Sequence, residues 1–173
     1  MSSQTYSDRP AIDATDALRD AVVAVTEKSF FSYADICGPG QFAERAAELG
    51  DTPAWLHAAV PFSGAMNGAI EIEVPEELAQ RLLASFTGRL PDDDESLGLH
   101  VVDSVGELAN MICGCWLTQY SPSTPVDLSP PRVVRRVGVL DRPPVTAGAT
   151  LDHVCAYIDD WPVRVTLATS AQP

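Results

Sequence analysis

The sequence predicts an α+β fold, a mostly antiparallel sheet with long amphipathic helices packed on one face. Helical periodicity and strand-like alternation come in separate blocks, with helices on either side of hairpins. The run Ala69-Ile-Glu-Ile-Glu-Val74 alternates apolar with acidic residues, the pattern of a strand with one wet face. No strand-to-helix turn carries a glycine-rich phosphate loop, which argues against a doubly wound parallel sheet. The 173 residues suit one domain of ordinary size. That domain is expected over residues 12–170, after a polar, disordered N-terminus at 1–11.

From Ile12 to about Phe31, Ala14, Leu18, Ala21, Val22 and Val25 recur at helical spacing, giving a first amphipathic helix. Cys37-Gly-Pro-Gly40 breaks it, and Phe42 to Leu49 forms a short helix that Gly50 ends. Two β-prone runs between Trp55 and Val74 then flank Gly64-Ala-Met-Asn-Gly68, in which Asn67-Gly68 offers the positive φ angles of a hairpin turn. Pro75 opens a helix with Glu76 and Glu77 in its first turn, where the helix dipole favours acids, and Gly88 closes it. The acidic run Asp92 to Glu95 reads as a solvated linker before a helix from about Leu97 to Thr118, which the proline-rich stretch Ser121 to Pro125 stops. Val126 to Thr169 is rich in valine, with turn signals at Pro130-Pro131, Pro143-Pro144 and Asp159-Asp160, and predicts three or four strands.

Eleven Lys and Arg stand against 24 Asp and Glu, a net charge of -13. Binding to a phosphate backbone would work against that repulsion, so nucleic acid is excluded as a partner and a cationic protein site is the natural one. The first twenty residues carry charges throughout, which excludes a secretory signal and points to the cytoplasm. The two uncharged 19-residue stretches, Thr52 to Ile70 and Leu108 to Val126, contain prolines and polar residues and do not read as membrane spans. Cys37, Cys113, Cys115 and Cys155 are too few and too scattered for a disulfide framework and are expected as free, mostly buried thiols. Neither they nor His57, His100 and His153 show metal-ligand spacing, so no metal site is expected.

The helix from Leu97 to Thr118 carries two stripes. With Val101 as zero and about 100° per residue, Val105, Leu108, Ile112 and Cys115 fall within roughly 40° of it, a face able to pack on a sheet. Opposite, at roughly 180° to 260°, lie Asp103, Glu107, Asn110, Gly114 and Thr118. An ordinary wet helix face favours Lys, Glu, Gln and Arg, whereas Asn and Gly each cost helix propensity. Asn110 is one of two asparagines in the chain, and no basic residue occurs between Arg89 and Arg132. Gly114, one turn beyond Asn110, leaves room for an incoming backbone.

The stretch Asp103-Ser-Val-Gly-Glu-Leu-Ala-Asn-Met-Ile-Cys-Gly114 resembles the signature helix of the CheC, CheX and FliY chemotaxis phosphatases, Glu-x-x-Asn followed four residues later by glycine. The surrounding order of elements is similar to CheX, and the likeness runs from about residue 12 to 169. Only one such motif is present, since the first helix offers Glu27-Lys-Ser-Phe30 without an amide, again as in CheX rather than CheC. The resemblance implies a hydrolase that removes the aspartyl phosphate from a CheY-like receiver domain, with Glu107 and Asn110 as the catalytic pair and Asp103 and Gly114 at the partner contact. It also implies a homodimer paired through sheet edges, no cofactor of the chain's own, and Mg²⁺ in the receiver's acidic pocket. The alternative is a non-catalytic CheX-like module that docks on a receiver or a motility protein.

These residue types suit that chemistry. An acyl phosphate is already activated, so its hydrolysis needs mainly a water held in line with phosphorus. A carboxamide accepts a hydrogen bond from that water without adding negative charge, as Asn110 would. A carboxylate one turn away can pair with a receiver lysine and fix the docking register, as Glu107 would. Residues at i and i+3 share a helix face, so one helix can present both.

Overall fold

The computed structural model describes residues 12–50, 53–90, 94–138 and 149–170. Four helices and seven strands follow in the order α1 (Ala14–Ser29), β1 (Ala34–Cys37), α2 (Pro39–Ala47), β2 (Ala54–Gly64), β3 (Asn67–Pro75), α3 (Glu76–Thr87), α4 (Asp94–Tyr120), β4 (Val126–Leu128), β5 (Arg132–Val137), β6 (Ala149–Ile158) and β7 (Trp161–Ser170). All strand pairs are antiparallel, in the spatial order β1-β6-β7-β3-β2-β4, with β5 also paired to β2. The α+β class holds.

Alternation along the strands explains the main core. Leu56, Ala58, Val60 and Phe62 of β2, Ile70, Ile72 and Val74 of β3, and Val163, Val165 and Leu167 of β7 meet the buried stripes of α1, α3 and α4. Each fully buried Leu, Ile or Val contributes roughly 1.5–3 kcal/mol relative to an exposed one. Trp116 of α4 is fully buried, rests on Phe62 at 5.6 Å between ring centroids, and donates its indole N–H to the Ala14 carbonyl at 3.0 Å. That bond ties α4 to the start of α1, which Asp13 caps by accepting from the Thr15 and Asp16 amides.

The second face of the sheet is not simply wet. Helix α2 lies over it, and Phe42, Trp55 and Cys155 form a smaller core there with Cys37, Ala46 and Leu49. Glu73, expected on the wet face, is only 2 % exposed and pairs with Arg164, while Glu71 pairs with the buried His57 at 3.0 Å. In sequence His57 has no carboxylate at ligand spacing. Register explains the difference, because the hairpin sets His57 beside Glu71 and Glu73.

Three boundaries differ from expectation. The hairpin turns at Ala65-Met66, with Gly64 at φ +130, and Asn67-Gly68 already belongs to β3. Gly68 is required for space instead, since a Cβ there would sit 2.6 Å from Phe62 Cζ. Helix α4 begins at Asp94, so part of the expected acidic linker belongs to the helix. Strand β1 was not anticipated, as its four residues are too short to show a period. The turn at Asp159-Asp160 is found, with φ of +47 and +69, whereas Pro143-Pro144 and the N-terminal residues 1–11 lie outside the described residues.

Strands β4 and β5 run along β2 as one interrupted edge. Phe62 pairs with Leu128 and Ala59 with Arg132, so Val60 and Pro61 stand opposite Ser129, Pro130 and Pro131, a one-residue bulge. Arg135, on this exposed edge, forks onto Glu76 of α3 at 2.8 to 3.0 Å. Among the described residues, no helix is long and apolar enough to cross a membrane.

Candidate functional site

All four residues singled out in sequence lie on α4, on the side turned away from the sheet. Asp103 and Glu107 are exposed, and Asn110 and Gly114 are half-buried. Between them Val105, Leu108, Ala109, Ile112 and Cys113 are 1 % exposed or less. The buried arc is what orients the polar one, because α4 cannot rotate without withdrawing Leu108, Ile112 and Trp116 from the core. Cys115, placed with the core stripe from its angle on the wheel, is half-buried at its rim.

Glu107 and Asn110 are separated by three residues, a rise of about 4.5 Å on one helix face. Beyond them, a Cβ on Gly114 would meet no atom within 4 Å. The fold therefore does not need glycine there, and its effect is to keep the surface low beside Asn110. Thr118 turns inward on its own helix, donating its hydroxyl to the Gly114 carbonyl at 2.8 Å.

One neighbour of the site was missed. A Cβ on Gly106 would sit 3.3 Å from Pro131 and 3.4 Å from Val133. Gly106 thus lets the bulged β4–β5 edge close against α4 immediately before Glu107, so the proline-rich segment flanks the polar stripe. The signal in sequence was a second helical glycine, Gly106, preceding the Pro130-Pro131 pair. The larger hollow described, about 340 Å³ between Leu49, Pro75, Gln80 and Trp161, shares no residue with this stripe. The site is an exposed convex helix face, suited to entering a partner's cleft rather than to enclosing a small molecule. Among the described residues, no three His, Cys, Asp or Glu side chains gather as metal ligands.

The family model described as "Chemotaxis phosphatase CheX" matches residues 56–148, more than half of the chain and all of α4. The chain belongs to the CheX family. Solved structures share its fold. The chemotaxis protein CheX from Vibrio vulnificus superposes with a TM-score of 0.71 at 16 % identity, over 94 % of this chain and 100 % of that one. CheX in a complex with CheY, BeF3 and Mg²⁺ from Borrelia burgdorferi gives 0.65 at 17 %, over 92 % and 99 %. FliY from Thermotoga maritima gives 0.57 at 16 %, over 90 % and 84 %. A comparison with curated proteins finds no match. At these identities the likeness to solved structures is one of fold, and the family assignment rests on the sequence match.

Proposed function

We propose that the chain hydrolyses the aspartyl phosphate of a CheY-like receiver domain. The observation that carries this reading is the presentation of Glu107 and Asn110 together on the exposed face of α4, in a chain of the family described as a chemotaxis phosphatase. The CheX of Borrelia burgdorferi forms a complex with CheY, BeF3 and Mg²⁺, which supports a receiver as the partner and Mg²⁺ as the receiver's own ion.

On this reading α4 enters the receiver's active cleft. The Asn110 carboxamide accepts a hydrogen bond from a water and holds it in line with phosphorus, without placing charge against the phosphoryl oxygens. Water attacks, the P–O bond to the aspartyl carboxyl breaks, and a free carboxylate and inorganic phosphate leave. Glu107 pairs with a cationic side chain at the rim of the cleft and fixes the register. Asp103 extends the acidic contact, and Gly114 lets the partner's backbone approach. Residues 12–170 serve as one CheX-like domain around the shared core.

The reading includes a homodimer. Strands β6 and β7 are both interior to the sheet, which leaves β1 and the β4–β5 side as its edges, and on this reading the pairing edge is β5, whose Val134 and Val137 are 47 % and 62 % exposed. Light scattering at micromolar concentration should give twice the chain mass, and the mass of a single chain would remove this part alone.

The deciding experiment follows loss of phosphate from an acetyl phosphate-charged receiver with the chain added in catalytic amount. Acceleration over the receiver's own rate supports hydrolysis. Binding without acceleration identifies a docking module instead.

A further inference from the structure

We propose that Cys37 and Cys155 form a reversible cross-strand disulfide, closed by a peroxide and opened by a dithiol, that clamps β1 and the start of α2 to the sheet. The sequence placed these thiols 118 residues apart with nothing to relate them. The fold makes them direct register partners across β1 and β6, on the same face, within the small core under α2. Residues opposed in an antiparallel ladder have Cα atoms about 4.5 or 5.5 Å apart, and both values lie inside the range of about 4.4–6.8 Å that a disulfide spans. No backbone movement is needed.

The two thiols differ in access. Cys37 is half-buried and Cys155 is 6 % exposed. Oxidant therefore meets Cys37 first. Its sulfur attacks hydrogen peroxide, the O–O bond breaks, and a sulfenic acid and one water result. The Cys155 sulfur then attacks the Cys37 sulfur, the S–O bond breaks, and a second water leaves as the disulfide closes. Two thiols and one peroxide thus give one disulfide and two waters. Burial pushes both thiols up from their ordinary pKa, at Cys155 against the opposing charge of Arg164, so closure is slow and takes sustained oxidant.

The clamp acts at one edge of the sheet. Strand β1 has four residues and pairs with β6, and Cys37 immediately precedes Gly38, the cap of α2. A bond here fixes both elements to the body of the sheet. Helix α4 packs on the other face, so its polar stripe is left as it was. Cys113 and Cys115 serve as internal controls, since they lie on different sides of one helix and cannot reach either partner's strand.

The test uses the whole reduced chain incubated with hydrogen peroxide, alkylated, digested and mapped by mass. The expected product is a peptide linking Cys37 to Cys155, an intact mass lower by about 2 Da, and a Tm raised by roughly 5 °C or more. All three should reverse with dithiothreitol. In Cys155→Ser, Cys37 should stop at the sulfenic acid and be captured by dimedone. In Cys37→Ser, Cys155 should stay reduced. Oxidation of Cys37 to the sulfinic acid without a link, or a link to Cys113 or Cys115, would overturn the proposal, and a correct link with unchanged Tm would overturn the clamp.

Discussion

Asn110 stands one helical turn beyond Glu107 on the outward side of α4, while Leu108 and Ala109 between them are fully buried. The pair is thus anchored from below and open above. Asn110→Ala removes the amide without disturbing the buried arc, so the Tm should hold and dephosphorylation should fall by at least ~100-fold, the scale for losing a positioned catalytic group. Affinity for the phosphorylated receiver should change little. An alanine variant as fast as the parent would reduce Asn110 to a wet helix residue.

Glu107→Lys should act on docking instead. Placing a cation opposite the receiver's cationic rim converts attraction to repulsion, so KM should rise, and the defect should shrink as salt screens the charges. Titration calorimetry at low and high salt reads this directly. A defect independent of salt would assign Glu107 a different role.

Gly114→Leu separates folding from contact. The added Cβ enters open space, and leucine gains up to about 1 kcal/mol of helix propensity over glycine, so the Tm should stay level or rise. Receiver affinity should nonetheless drop about tenfold or more if a backbone approaches here. Unchanged affinity would place the partner elsewhere.

Thiol labelling should follow burial. The Cys113 thiol is pushed up to about 12 by its burial in α4, so at neutral pH almost none of it is thiolate. Cys37 and Cys115 should react first in the native protein, and Cys113 and Cys155 only after denaturant. Equal fast labelling of all four would contradict the packing of α4 and β6.

The parts of this fold that were legible in sequence are those where one residue pattern answers to one environment. Leu108 and Ile112 recur at helical spacing because α4 has a single buried side, and the polar stripe was visible as its complement. The second face of the sheet was not legible. Glu71 and Glu73 alternate as solvent-facing residues do, and only the folded arrangement of α2, His57 and Arg164 around them covers and pairs them. The bulge at Ser129 to Pro131 was equally hidden, because prolines mark an interruption without saying that the chain resumes beside the same strand. The site residues could be read from a local motif, whereas the edge that flanks them depends on contact between Gly106 and Pro131, which are remote in sequence.

The strand order carries a consequence for synthesis. Strands β6 and β7 follow the other described strands in sequence, yet they occupy the middle of the sheet, between β1 and β3. Until Ala149–Ile158 has left the ribosome β1 has no neighbour, and until Trp161–Ser170 follows β3 shows one bare side. The helices meanwhile wait over an unfinished surface of Ile70, Ile72 and Val74. Closure of the core therefore joins Ala34–Cys37 to strands remote in sequence, and such non-local pairing is slow. A nascent chain interrupted after α4 is left with an open edge on β3, the kind of unpaired strand that invites association until the β6–β7 hairpin covers it.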